Sequence, residues 1–294
     1  MKEKKVKKPR KELPGQEYRQ IENKKKVTAA YVILRLSVIL VMIAQIFNRN
    51  YENVFLCLLT LVLFMLPSII ERRLHIDLPD TLEIVVLLFI YAAEILGEIQ
   101  AWYLNVPGWD KVVHTTNGFL CAAIGFSLVN ILNKDKRVAM SLSPFYVAVM
   151  AFCFSMTVGI LWEFFERSVD AWFGGDMQKD TIIHSISSVK FDPNGLNIPR
   201  TISDIQDVIL VKSDGTQMAL GLGGYLDIGL IDTMEDLFVN FIGATVFSVI
   251  GYFYLKYEGK GKGKIAKNFI PQVMESPVSA GGAGEDKPEG ERRQ

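Results

Sequence analysis

Six blocks of apolar residues, each close to the length that crosses a lipid bilayer, constrain this chain more than any other feature of its sequence. A hydrocarbon core about 30 Å thick requires roughly 20 apolar residues at about 1.5 Å each. Half of the 294 residues are hydrophobic. The blocks run over residues 27–47, 54–70, 82–104, 112–132, 145–165 and 237–255. They predict an all-α integral membrane protein, a multi-pass bundle of six transmembrane helices.

Lysine and arginine residues set the predicted direction of these spans, because short cytoplasmic loops of membrane proteins are enriched in them. Residues 1–26 carry eleven Lys or Arg against four Glu. Further basic residues on the same side are Arg72, Arg73, Lys134, Lys136, Arg137 and those among 256–267, whereas the opposite short loops offer Arg49 and Lys111. An even number of spans brings both termini to one side. We therefore predict that both termini lie in the cytoplasm.

The segments outside the spans divide the chain further. Residues 1–26 form a basic cytoplasmic tail, 27–166 hold spans one to five, 167–231 form an external loop or lid, and 232–257 hold the sixth span. Residues 258–294 are rich in Gly, Lys, Pro and Glu. Such a composition buries too little apolar surface to fold, so we predict a disordered cytoplasmic tail there.

The external loop between spans five and six has a partly β pattern. Residues 207–212 and 217–220 are typical of two strands, and the residues between them include Asp214-Gly215, which favours a tight turn. Residues 181–191 form a weaker strand pattern, closed by the turn-forming residues 192–195. The sequence therefore predicts a small, partly β loop over the outer end of the bundle.

Acidic, histidine and asparagine residues that are rare in membrane helices recur at the outer ends of spans four, five and six. Within each span they are three or four residues apart, which places them on one face of the helix. Ionisable groups are costly at the edge of a bilayer, so a cluster drawn from several helices predicts a functional site. The candidate site residues are Asp110, His114, Glu163, Glu166, Asp170, Asp232, Asp236 and Asn240.

So many carboxylates close together require a cation, protons or basic partners. A divalent metal is one solution, since carboxylate oxygens with a single histidine suit Mg²⁺, Mn²⁺, Ca²⁺ or Zn²⁺. The candidate metal ligands are Asp110, His114, Glu163 and Asp236. The alternative is a hydrogen-bonded network that locks the helices together, with several acids protonated.

Three motifs carry a resemblance to known proteins. They are Gly108-Trp109-Asp110-Lys111-Val112-Val113-His114 with Gly118, then Trp162-Glu163-Phe164-Phe165-Glu166 with Asp170, and Asp232-Thr233-Met234-Glu235-Asp236 with Asn240 and Gly243. Over roughly residues 30–257 the chain resembles the uncharacterised bacterial inner-membrane family typified by YjdF. It is more distantly similar to the VanZ-like envelope proteins linked to glycopeptide-antibiotic resistance. The resemblance implies a protein of the bacterial cytoplasmic membrane with an outward-facing site.

Three functions fit these patterns. An enzyme would catalyse metal-assisted hydrolysis or transfer on a membrane lipid or a lipid-linked cell-envelope substrate, with Asp110 orienting His114 as general base or metal ligand. A cation- or proton-coupled transporter would use Glu94 and Glu98 of the third span, which extend the acidic side chains toward mid-membrane. Against it, the sequence has neither an internal repeat nor a matching pair of glycine-broken spans. A non-catalytic envelope scaffold would need the acids only for packing. No nucleic-acid partner is expected.

Overall fold

The structure is a computed structural model that describes residues 15–74, 76–134, 141–257, 269–270 and 272–273. Within these residues the chain is mostly helical, with four small two-stranded antiparallel sheets. The predicted fold class, an α-helical membrane protein with a partly β loop between the last two spans, is confirmed.

Apart from one short 3₁₀-helix, Val189–Phe191, eight α-helices and one π-helix make up the helical part of the described chain. They are α1 (Gly15–Phe47), α2 (Tyr51–Leu63), α3 (Leu66–Leu74), α4 (Asp80–Tyr91), a π-helix (Ala92–Ile99), α5 (Trp102–Asn105), α6 (Trp109–Lys134), α7 (Pro144–Phe173) and α8 (Leu230–Lys256). Five helical segments are long and apolar enough to cross a membrane, namely Lys24–Phe47, Tyr51–Arg73, Trp109–Asn133, Pro144–Phe173 and Leu230–Lys256. The predicted count of six spans is therefore approximate.

The third predicted span, residues 82–104, accounts for the difference. It is not one continuous α-helix, because α4 passes into the π-helix at Ala92 and the chain then turns at Ala101, whose φ is +54°. After the turn, α5 folds back on the π-helix, and the ring of Tyr103 occupies the place that a Cβ on Gly97 would need. Glycine at this position therefore permits the return.

The second span breaks where the sequence has proline. Helix α2 ends at Leu63, and α3 begins at Leu66 with Pro67 as its second residue. Proline has no N–H to donate and its ring clashes with the preceding turn, so a helix accepts it only in its first turn. Starting a new helix next to Pro67 satisfies both restrictions.

Helices α6, α7 and α8 pack closely because small residues line their contacts. The backbone oxygen of Asn240 lies where a Cβ on Gly118 would be, and the backbone oxygen of Thr115 lies where a Cβ on Gly243 would be. Small residues at such crossings let two helix backbones approach each other in a membrane. Below the crossing, a core of buried alanines surrounds Phe126 and Phe247. This packing fixes the relative positions of the helix ends that carry the acidic residues.

The first half of the chain forms a second core. Helices α1, α2 and α4 and the π-helix enclose a buried cluster made of Val38, Cys57, Phe64, Leu87, Ile90 and Ile95. A 2.7 Å hydrogen bond between the hydroxyls of Ser37 and Tyr91 joins α1 to α4. Arg35, a charged residue within the first span, places its guanidinium over the ring of Tyr31 at 5.1 Å. This half is therefore held mainly by apolar packing.

Short strands pair locally, mostly in the α7–α8 loop, which we define as residues 174–229. The pairs are β1 (Ile76–Asp77) with β8 (Gln272–Val273), β2 (Ile182–Ile183) with β7 (Tyr225–Leu226), β3 (Ser185–Ser188) with β4 (Arg200–Ser203), and β5 (Ile209–Val211) with β6 (Gln217–Ala219). The β5–β6 pair is the hairpin predicted from the sequence. Its turn is held by Asp214, whose carboxylate accepts the N–H of Thr216 at 2.9 Å.

The structure adds detail to both predicted tails where it describes them. Helix α1 begins at Gly15, so it extends twelve residues into the predicted basic tail. In the segment predicted to be disordered, Ile270 is buried in the core of α6, α7 and α8, and the ring of Phe269 lies 5.4 Å from that of Phe119. The physical reason is that these two apolar side chains pack against the bundle, although most residues around them in the sequence are polar. Residues 1–14, 258–268, 271 and 274–294 lie outside the described residues.

Candidate functional site

Three helix ends meet at the end of the bundle that the sequence predicts to face outside. They are the start of α6, the last turns of α7 and the start of α8. The side chains that they bring together are Asp110, His114, Glu163, Glu166 and Asp236, which we call the acid cluster. Asp232 lies at its edge and interacts electrostatically with Glu163 and Asp236.

His114 occupies the centre of the acid cluster. Its Nε2 lies 3.5 Å from Oδ1 of Asp110 and 3.6 Å from Oδ2 of Asp236, and its Nδ1 lies 4.0 Å from Oε1 of Glu163. Both ring nitrogens thus face carboxylates. The His114 side chain is 11% exposed and that of Asp110 is 29% exposed, so Asp110 forms the open edge of the cluster.

The cluster contains two groups of three possible metal ligands, and Asp236 belongs to both. The first group is Asp110, His114 and Asp236, and the second is Glu163, Glu166 and Asp236. Within each group one ligand atom per residue lies within 4.8 Å of the others. Opposite ligands of one ion are separated by about 4 Å for Mg²⁺ and about 5 Å for Ca²⁺, twice the ion–oxygen distance. Either group is therefore compact enough to surround a divalent cation.

Two carboxylate oxygens inside the cluster are buried without a hydrogen-bond partner. They are Oε2 of Glu163 and Oδ1 of Asp236, in residues that are only 4% and 2% exposed. Buried polar atoms in proteins are nearly always paired. Among the residues that the structure describes, His114 is the one basic side chain within ion-pair distance of these carboxylates. The neighbouring Lys111 pairs with Glu235 instead, at 2.7 Å. When its carboxylates are ionised, the cluster therefore carries more negative than positive charge.

Glu166 has a partner that sequence reasoning did not assign. Nε1 of Trp162 donates a hydrogen bond to Oε1 of Glu166 at 2.7 Å, one helical turn away on α7. The four-residue spacing between Trp162 and Glu166 was visible in the sequence and is the signal that could have identified this pair. The bond fixes the Glu166 carboxylate against its own helix and leaves its other oxygen for the cluster.

Asp170 is a candidate site residue that the structure places in a different role. Helix α7 ends at Phe173, and Gly174, with φ of +67°, reverses the chain. The returning segment, residues 176–181, is called the strap. Oδ1 of Asp170 accepts the N–H of Met177 at 2.7 Å, and Oδ2 accepts that of Gln178 at 2.9 Å. An acid at this end of α7 opposes the helix dipole, and these two strap donors compensate for it.

Two further aspartates attach the strap to the start of α8. Oδ2 of Asp232 accepts the N–H of Lys179 at 2.7 Å, and Oδ1 of Asp227 accepts the N–H of Thr181 at 2.7 Å. Asp227, which the sequence did not single out, also accepts the N–H of Ile231 at 2.8 Å. Carboxylates at the ends of two membrane helices therefore hold one loop segment across the top of the bundle.

Gln178 connects the strap to the acid cluster. It is buried, and its side chain donates a hydrogen bond to the hydroxyl of Thr233, which lies beside the carboxylate of Glu163. The Cβ of Gln178 lies only 2.6 Å from the position of a Cβ on Gly229, whose φ is +79°. Glycine is needed there on both counts. Nothing in the sequence pattern indicated Gln178, because its role depends on how the loop folds back.

Asn240 lies deeper than the acid cluster and contributes to helix packing. Its Oδ1 accepts a 3.5 Å hydrogen bond from Asn117, and its Nδ2 points to Sδ of Met156 at 3.6 Å. Its amide also fills the space beside Gly159. Asn240 therefore joins the three helices below the acid cluster, although its four-residue spacing from Asp236 suggested membership of the same site.

Glu94 and Glu98, the secondary candidates, both lie on the π-helix. Glu98 interacts electrostatically with Asp110 of the cluster and with Lys179 of the strap, and Glu94 interacts with Glu98. π-Helical segments are rare and occur frequently at functional sites. The third span thus brings further carboxylates to the edge of the acid cluster.

Comparisons with known proteins agree with the membrane assignment. A family model described as a predicted membrane protein, DUF2238, matches residues 30–257. This is the range that resembles the YjdF-like proteins, and that prediction is confirmed, whereas the similarity to VanZ-like proteins is not shown. No curated protein and no solved structure matches the chain significantly.

Proposed function

The chain belongs to the DUF2238 family of predicted membrane proteins, and we propose that its acid cluster binds a divalent cation at the outer face of the bacterial cytoplasmic membrane. The bound cation serves metal-assisted hydrolysis or transfer on a membrane lipid or a lipid-linked cell-envelope substrate. The depth of the cluster, at helix ends under a loop, corresponds to the lipid headgroups.

One observation carries this proposal. Glu163 and Asp236 each bury a carboxylate oxygen with no hydrogen-bond partner, and both residues belong to groups of possible metal ligands. Leaving a buried charged group unpaired costs several kcal/mol. A divalent cation bound by Glu163 and Asp236 would remove that cost.

The roles of the residues follow from their distances. Asp110, His114 and Asp236 are the ligands nearest the open edge, where a substrate enters. Glu163, which faces Nδ1 of His114, orients the imidazole so that Nε2 points toward the ligands, as carboxylates beside metal-bound histidines commonly do. A divalent cation would lower the pKa of a bound water and polarise a carbonyl or phosphoryl oxygen. The unpaired oxygen of Glu163 would be a further ligand of the cation.

A structural network is the second candidate, and the position of His114 favours it. His114 lies between Asp110 and Asp236 on one side and Glu163 on the other, so hydrogen bonds among these groups, with several acids protonated, would hold the cluster without a metal. In that case the protein is a scaffold whose acids lock α6, α7 and α8 together. A cation- or proton-coupled transporter is supported by Glu94 and Glu98 on the π-helix, which extend the carboxylates away from the cluster.

Metal analysis of the detergent-purified protein tests the proposal. The wild type should retain a divalent metal after gel filtration, and Glu163→Gln should lose most of it because the amide is a poor ligand. The matched control is Glu235→Gln, which neutralises the neighbour of Asp236 on α8 that pairs with Lys111 outside the cluster. Metal retained equally by the wild type and Glu163→Gln, or by neither after reloading, would contradict the cation site.

The proposed orientation places both termini in the cytoplasm and the α7–α8 loop outside, as the basic residues of the inner loops favour. Single cysteines at Ser213, in the exposed β5–β6 turn, and at Ser279 test it in a background without Cys57, Cys121 and Cys153. An impermeant thiol reagent on intact cells should label Ser213→Cys and not Ser279→Cys. The reverse pattern would move the acid cluster to the inner face.

A further inference from the structure

We propose that the acid cluster holds two divalent cations that share Asp236 as a bridging ligand. This inference rests on the proposed function, because it takes the cation site as given and adds a second ion to it. One ion occupies the group formed by Asp110, His114 and Asp236, and the other occupies the group formed by Glu163, Glu166 and Asp236.

The two oxygens of Asp236 have different surroundings, as a bridging carboxylate requires. Oδ2 lies 3.6 Å from Nε2 of His114, a residue of the first group. Oδ1 is buried and has no hydrogen-bond partner. A carboxylate that serves one ion through Oδ2 therefore has a second oxygen free for another ion.

The second group has its own unpaired atom. Oε2 of Glu163 is buried without a partner, whereas Oε1 lies toward Nδ1 of His114 at 4.0 Å. Glu166 is held by Trp162 through Oε1 alone. A single ion bound near His114 and Asp110 leaves the Glu163 oxygen unsatisfied, and a second ion supplies its partner.

Charge balance also supports two divalent cations. When ionised, the four carboxylates of the cluster carry four negative charges, which two divalent cations neutralise. One divalent cation leaves two negative charges in excess, and the neighbouring Lys111 is paired with Glu235 outside the cluster. Buried charge without compensation is strongly unfavourable.

The two ions of two-metal enzyme sites lie about 3.5–4 Å apart. At that distance two Mn²⁺ ions are magnetically coupled, so the number of ions and their proximity can be measured together. The purified protein is stripped with chelator, loaded with Mn²⁺ and freed of excess metal. Bound Mn²⁺ per chain is then measured by elemental analysis, and coupling by electron paramagnetic resonance.

The wild type should bind two Mn²⁺ per chain and give a coupled spectrum. Glu166→Gln, which leaves the group with His114 intact, should bind one Mn²⁺ and give an uncoupled spectrum. Asp110→Asn should also bind one, because it weakens only the other group. Glu235→Gln is the control and should still bind two. All variants are compared at equal gel-filtration behaviour, so that loss of metal is not loss of fold.

Other outcomes separate the inference from the function on which it rests. One Mn²⁺ in the wild type, lost in Glu163→Gln, would overturn the second ion and leave the cation site in place. Two uncoupled Mn²⁺, with Glu166→Gln unchanged, would place the second ion outside the cluster and overturn the shared Asp236. No bound Mn²⁺ in the wild type would overturn both.

Discussion

The two halves of the bundle bury different kinds of residue, although both consist of apolar helices. In the half formed by α1, α2 and α4, Thr60 is the one fully buried polar side chain among the described residues. In the half formed by α6, α7 and α8, the buried polar side chains include Ser155, Glu163, Glu166, Asp236 and Asn240. Polar groups inside a membrane protein are costly. The second half therefore contains the candidate site, and we propose that the first half supports it.

The two halves also differ in how their helices pack. The first half fills its interior with large side chains such as Phe64 and Leu87. In the second half, glycines bring α6 and α8 so close that backbone contacts backbone at Gly118 and Gly243. Close approach narrows the space between the helix ends. It brings carboxylates of the three helices into two groups, and within each group the possible ligand atoms lie within 4.8 Å of one another. The crossing that stabilises the second half also builds its site.

The largest expected effect follows from this difference in packing. Gly243→Val should destabilise the protein by about 3 kcal/mol, the upper end for overpacking, because backbone atoms of Thr115 occupy the added volume. The opposite kind of volume change in the first half, Cys57→Ala, removes one buried atom and should cost about 1 kcal/mol. Thermal unfolding in detergent compares them. Equal losses would show that the two halves tolerate volume changes alike.

The strap gives a more local effect. Asp170→Ala removes the acceptor for the N–H groups of Met177 and Gln178. These bonds stabilise the attachment of the strap rather than the helix bundle, so residues 176–181 should exchange amide hydrogen at least tenfold faster while the melting temperature falls little. Hydrogen–deuterium exchange measures this. Asp214→Ala, in the distant β5–β6 turn, is the control, and faster exchange of the strap in that variant would contradict a direct attachment.

The smallest expected effect concerns Glu166. Trp162→Phe keeps an aromatic ring and removes the hydrogen bond to that carboxylate, which should cost about 1 kcal/mol. The control is Trp172→Phe, since Trp172 is exposed at the end of the same helix. Melting curves of the two variants should differ, with Trp162→Phe the less stable. Indistinguishable curves would show that the hydrogen bond from Trp162 to Glu166 does not stabilise the protein.

Local sequence patterns predicted much of the second half. Apolar length identified α6, α7 and α8, and spacings of three and four placed Asp110 beside His114 and Glu163 beside Glu166. These are properties of a single helix, so a single segment reveals them. The identification of the helix ends that converge also needed the direction of each span, which the basic loops supplied.

The remaining features depend on contacts between distant segments. A π-helix has the same hydropathy pattern as an α-helix, so the sequence of the third span did not indicate the change from α-helix to π-helix at Ala92. Gln178 acquires its role only when the strap folds back to Gly229 and Thr233. Ile270 lies in a polar stretch whose average composition predicted disorder, yet it is buried. Composition averages over residues, whereas packing selects single side chains.

The dependence of stability on metal tests the central claim most directly. The melting temperatures of the wild type, Glu163→Gln and Asp236→Asn are measured with chelator and then with Mg²⁺, Mn²⁺, Ca²⁺ or Zn²⁺. If a cation holds the acid cluster, a metal at 100 times its Kd should stabilise the wild type by about 2.7 kcal/mol, and both variants should lose most of that gain. A wild-type melting temperature that is the same in all five conditions would contradict the cation site and leave the acids a structural network.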